Sequence, residues 1–78
     1  MIERTLMLDK IEYVKIFVQM AIMQEYKVTL SSGEYAVDAK SIMSIFSLDL
    51  TKPVKLTAYC EEVNDFIKAV EKFSYKKI

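Results

Sequence analysis

Apolar positions along the chain switch between two periods. Leu6 and Leu8 alternate with Thr5 and Met7, so Arg4 to Leu8 predicts a first strand. From Lys10 to Gln24 the spacing becomes helical, with a main stripe of Ile11, Val14, Phe17, Val18 and Ala21. Asp9, followed three residues later by Glu12, is placed to cap this helix as a variant capping box. The same helix carries a second apolar row, Tyr13, Ile16, Met20 and Met23. That row is either additional core or an exposed contact surface.

After a turn at Glu25–Lys27, Lys27 to Leu30 predicts a strand with Val28 and Leu30 inward. Ser31 to Glu34 is the hairpin turn and holds the only glycine, where a positive φ is most needed. Tyr35 to Asp38 returns as a strand. A short helix then starts near Ser41, with Ile42, Ile45 and Phe46 on one face and Met43 and Leu48 widening the apolar surface. Ser41 suits the cap, and so short a helix must lie on a larger body. Asp49 to Pro53 reads as a loop, and Val54 to Cys60 alternates as a fourth strand. Glu61 and Glu62 are expected to open a last helix buried through Val63, Phe66, Ile67, Val70 and Phe73. The order β-α-β-β-α-β-α predicts an α+β open-faced sandwich: a four-stranded antiparallel sheet covered on one face by three helices, in a single domain over 1–78.

Composition narrows the function. Eleven Lys and Arg balance eleven Asp and Glu, which argues against nucleic acid or an anionic membrane as the main partner. The one basic cluster, Lys72, Lys76 and Lys77, reads as a solvated helix end. Cys60 is the single cysteine and is expected to be buried at the end of its strand, so no internal disulfide forms. With no histidine there is no basis for a metal site, and no cofactor is expected. The start lacks the pattern of a signal peptide, and the longest apolar run, Ile16 to Met23, is too short to span a bilayer, so a cytoplasmic address is expected.

The stretch Ala39-Lys40-Ser41-Ile42-Met43 resembles the regulatory-serine segment of HPr, the histidine-containing phosphocarrier protein of the sugar phosphotransferase system. Phe17-Val18, Val28-Thr29, Ser32-Gly33 and the Leu48-to-Val54 turn fall at HPr-like spacings from Ser41, so the resemblance covers about Phe17 to Phe73. It implies the HPr fold, with strands in the spatial order β1-β4-β2-β3. Members of that family carry phosphate on a histidine at the start of the first helix, with an arginine, a glycine and a proline nearby. Leu8 to Tyr13, the corresponding stretch, holds none of the four and is shorter. Lys10 cannot stand in, because an ammonium has no free lone pair. An acyl phosphate on Asp9 would need a metal and a lysine in a deep cleft. Transfer of phosphate from phosphoenolpyruvate is therefore not expected.

The resemblance also implies roles for what remains. In Gram-positive members the serine matching Ser41 is phosphorylated by a kinase, and the modified protein binds a transcriptional regulator. Read from the local sequence alone, Ser41 is a plain helix cap, and Ser44 stands where the family often has glycine, adding a second hydroxyl. Ile42, Met43 and Phe46 correspond to the apolar patch through which relatives dock. Ile16, Met20 and Met23 are expected to extend that patch from the first helix. No nucleophile and base stand at paired spacing, so the chain is not expected to be an enzyme. The expected function is a regulatory protein-binding module, with a kinase, a transcriptional regulator or a phosphotransferase-system enzyme as partner. The alternatives are a conventional phosphotransferase-system component and a homodimer unrelated to sugar transport, joined through Ile16, Met20 and Met23.

Overall fold

The structure, a computed structural model, describes residues 1–75. Lys76 and Lys77 of the basic cluster lie outside the described residues. The elements are β1 (Ile2–Leu6), α1 (Ile11–Ile22), β2 (Val28–Ser32), β3 (Tyr35–Asp38), α2 (Ile42–Ile45), β4 (Val54–Ala58) and α3 (Asp65–Val70), with a 3-10 turn at Glu71–Phe73. They form the expected α+β sandwich. One four-stranded sheet has the order β1-β4-β2-β3, every neighbouring pair antiparallel.

β4 is central, and its alternation explains why. Val54, Leu56 and Ala58 face the helices and are buried, in register with Leu6, Arg4 and Ile2 of β1 and, for Leu56 and Ala58, with Leu30 and Val28 of β2. On the open face Thr57 lies between Glu3 and Thr29 and is buried by its strand neighbours. α1 lays Val14, Phe17, Val18 and Ala21 on this sheet. α3 buries Phe66, Ile67 and Val70 beside it, with the Phe17 and Phe66 rings 6.2 Å apart.

Several boundaries differ from expectation. The first strand is Ile2–Leu6, because the ladder with β4 ends at the pair Leu6–Val54. Leu8 leaves the strand yet is buried. Arg4 shares the helix-side face of β1 and reaches Glu71, 3.6 Å away. The cap of α1 is Lys10, whose side chain accepts nothing, so Asp9 does not perform that role. Ile11 belongs to the exposed flank of α1, not to its buried stripe.

The β2–β3 turn is only two residues, Gly33 and Glu34, with φ +61° at the glycine and positive φ at no other described residue. That is the requirement of a type II′ hairpin turn. Cys60 lies beyond β4 and is half-buried, its sulfur 3.6 Å from the Glu62 carbonyl. Glu61 and Glu62 precede α3, whose cap is Asn64: its side-chain oxygen accepts from Ile67 N–H at 3.1 Å. Val63, outside that helix, is exposed.

Candidate functional site

α2 has one buried residue, Ile45, and everything else about it faces outward or sideways. Ser41 caps it, the hydroxyl accepting from Ser44 N–H at 3.4 Å. The residue is half-buried. Ile42 is half-buried against the core, and Met43 and Phe46 project, 78% and 43% exposed. Lys40 does not turn toward Ser41. Its Nζ donates to the Gln24 carbonyl at 2.6 Å, which ties the approach to α2 to the end of α1. Past the helix, Asp49 accepts from Thr51 N–H at 3.1 Å and from the Thr51 hydroxyl at 2.5 Å. These donors, with a smaller contribution from Lys52, hold its carboxyl below the ordinary 3.8.

Two clefts flank α1 and show which of its sides adjoins α2. One, of about 290 Å³, is lined by Leu8, Lys10, Ile11, Val14, Phe46 and Leu50, so Ile11 and Phe46 share a wall. Ile22 lies eleven residues, about three turns, above Ile11 and on the same flank. Both are open to solvent, at 58% and 56%. The other cleft, of about 470 Å³, is lined by Met7, Tyr13, Ile16 and Phe73, on the α3 side of α1. The Tyr13 and Phe73 rings stand 5.3 Å apart there.

The row Tyr13–Ile16–Met20–Met23 therefore runs along the flank away from α2. Tyr13 and Met20 are half-buried against the core, Ile16 is 43% exposed and Met23 80%. The expectation that Ile16, Met20 and Met23 extend the α2 patch does not hold. Ile11 and Ile22 extend it, and sequence reasoning missed both. The signal is the eleven-residue spacing of Ile11 and Ile22, about three helical turns, which a stripe centred on Phe17 obscures.

The loop between β1 and α1 is the stretch that the sequence resemblance matches to a phosphate-relay loop. Its last residue, Lys10, offers its main-chain carbonyl to Tyr13 and Val14 N–H and sets its ammonium 5.4 Å from the Tyr13 ring centre. Asp9 borders both clefts. The chain contains no imidazole that could take up phosphate at this loop.

An open-faced sandwich with a short serine-capped helix beside the first helix defines an HPr-type domain. The family described as PTS HPr component phosphorylation site matches residues 13–75, and the chain belongs to it. The matched span begins at Tyr13, after the loop that departs from the family pattern. Among solved structures the chain is similar to HPr-C-His from Thermoanaerobacter tengcongensis, at 28% identity and a TM-score of 0.75, over 92% of this chain and 89% of that one. No curated protein matches it significantly. Family members are phosphocarrier components rather than catalysts. No helix among the described residues is long and apolar enough to cross a membrane.

Proposed function

We propose that this chain is a regulatory protein-binding member of the HPr family that relays no phosphate through histidine. The observation that carries this reading is a chain without a single histidine that exposes Met43, Phe46, Ile11 and Ile22 on adjoining faces of α2 and α1. Apolar side chains grouped in this way are the usual content of a docking surface, and methionine adapts to differently shaped partners. The partner is a kinase, a transcriptional regulator or a phosphotransferase-system enzyme, met in the cytoplasm. Phosphorylation of Ser41 switches it: a phosphate there replaces a capping hydroxyl by about two negative charges at the border of the apolar face.

The test has two arms. Incubation with enzyme I, phosphoenolpyruvate and magnesium leaves no acid-labile phosphate on the chain; label would return it to the conventional phosphotransferase components. Capture from the host with the wild-type and Ser41→Asp proteins, read by mass spectrometry, yields partners that differ between the two. Identical partners would remove the switch and leave a constitutive binder. A second reading, a homodimer, is favoured by the exposure of Ile16 and Met23 on the other flank of α1. Elution of the wild-type protein at twice the monomer mass, reverting in Met23→Asp, would support it.

A further inference from the structure

The two edges of the sheet differ. Along β1 the outer side is occupied: Met7 N–H donates to the Phe73 carbonyl at 2.8 Å, Tyr75 N–H donates to the Thr5 carbonyl at 3.0 Å, and Leu6 is bridged to Ser74. Along β3 no described residue takes the corresponding place.

The phase of the hairpin decides which groups of β3 are free. The two-residue turn closes on the pair Ser32–Tyr35, and Ala39 N–H donates to the Val28 carbonyl at 2.9 Å. Antiparallel pairs alternate, so Tyr35, Val37 and Ala39 direct their main-chain groups to β2, while Ala36 and Asp38 direct theirs outward. The Asp38 carbonyl accepts from Ser41 N–H at 3.1 Å. Ala36 N–H, Ala36 C=O and Asp38 N–H remain without a partner among the described residues.

The side chains around these groups are of one sign. Glu34 and Asp38 lie two positions either side of Ala36, and all three are exposed. Neither carboxylate enters an ion pair among the described residues; Asp38 Oδ1 accepts from the Lys40 main-chain N–H at 2.9 Å, and the Lys40 ammonium itself is held by the Gln24 carbonyl. On the helix side of the strand, Tyr35 is exposed and Val37 is half-buried. Edge strands are commonly blunted by lysine, proline or a bulge. β3 has none of these, and its register with β2 is uninterrupted. A second copy aligned antiparallel on Ala36 would set Glu34 against Asp38 and be repelled. A basic strand in the same position would be attracted.

We propose that the β3 edge accepts an extended basic segment of another protein as a fifth, antiparallel strand. Its central residue lies opposite Ala36, its lysines or arginines two positions away face Glu34 and Asp38, and its intervening apolar residues cover Tyr35 and Val37. This surface is separate from the α1–α2 face and does not depend on phosphate chemistry.

The experiment is amide NMR and hydrogen exchange on the full chain with the blocked peptide Thr-Lys-Val-Thr-Val-Lys-Thr. The Ala36 and Asp38 amides shift and exchange more slowly. The same peptide with glutamates for lysines leaves them unchanged. Ala36→Pro removes an outward N–H, which an edge strand tolerates, and abolishes the response at the Asp38 amide, while Ala36→Val keeps it. Glu34→Lys, which leaves every main-chain bond in place, weakens the lysine peptide by roughly tenfold at low salt. Shifts confined to other residues, equal binding of the glutamate peptide, full binding by Ala36→Pro or Glu34→Lys, or self-association through β3 in place of peptide binding would each overturn the proposal.

Discussion

The Lys40 ammonium donates to the Gln24 main-chain carbonyl at 2.6 Å, so a residue sixteen positions downstream ties down the chain where it leaves α1. The carbonyls at a helix end have no partner within the helix, and positive charge is favourable there. α1 has no basic residue in its own last turn, and Lys40 places a positive charge just beyond its C-terminal end. Lys40→Met keeps the aliphatic stem and removes the donor. It destabilises the protein by about 1 kcal/mol in urea unfolding, and exchange quickens at the Met23 and Gln24 amides. Unchanged exchange there would show that the bond carries no stability.

Ile45 is the single fully buried anchor of α2. Ile45→Ala leaves a cavity and costs about 3 kcal/mol, a large share of the stability of so small a domain. Because α2 is otherwise held at its margins, the loss appears first as raised exchange across Ser44 to Ser47. A variant with wild-type unfolding would mean that α2 is held by other contacts.

The Asp49 carboxyl titrates below 3.8 in the folded chain, because Thr51 donates to it twice. A lowered value means that ionised Asp49 supports the fold at every pH above 3.8, and that this support disappears as pH falls through the folded value. Thr51→Val removes the hydroxyl donor and moves the carboxyl back up toward 3.8. Carbon-detected NMR of the carboxyl resonance measures both values, and the same titration in the two proteins would refute the assignment.

If the docking face is the one shared by α2 and the Ile11–Ile22 flank, charge on that face weakens capture of the partner and charge on the opposite flank does not. Met43→Asp and Ile22→Asp each reduce recovered partner by roughly tenfold, while Ile16→Asp and Met23→Asp retain it. Both pairs replace exposed side chains, so folding is preserved and serves as the control. The inverse pattern would move the interface to the other side of α1.

Much of this architecture is legible in the residue pattern. The Val28–Leu30 alternation, the single glycine and Tyr35–Asp38 define the hairpin, and Ser41 caps the helix it was expected to cap. The misreadings share a cause. Ile11 fits helical spacing, but spacing cannot tell a stripe's centre from its border; Val63 fits it too, yet the helix starts only after Asn64. Glu61 and Glu62 satisfy the charge preference of a helix start, yet Asn64 holds the geometry that ends the orphaned N–H of Ile67. The adjacency of β1 and β4 is a long-range pairing with no local signature; the family resemblance supplied it, and periodicity did not. The side of α1 that adjoins α2 was misjudged because two apolar rows invite a choice that only the third dimension settles.

The placement of β1 between β4 and the Ser74–Tyr75 segment has a consequence for the order of folding. β1 has no ladder partner until Val54–Ala58 is available to pair with it. The β2–β3 hairpin joins residues close in sequence and can close early, while Ile2 to Leu6 must find partners roughly fifty residues away, so β1 is expected to dock late in folding.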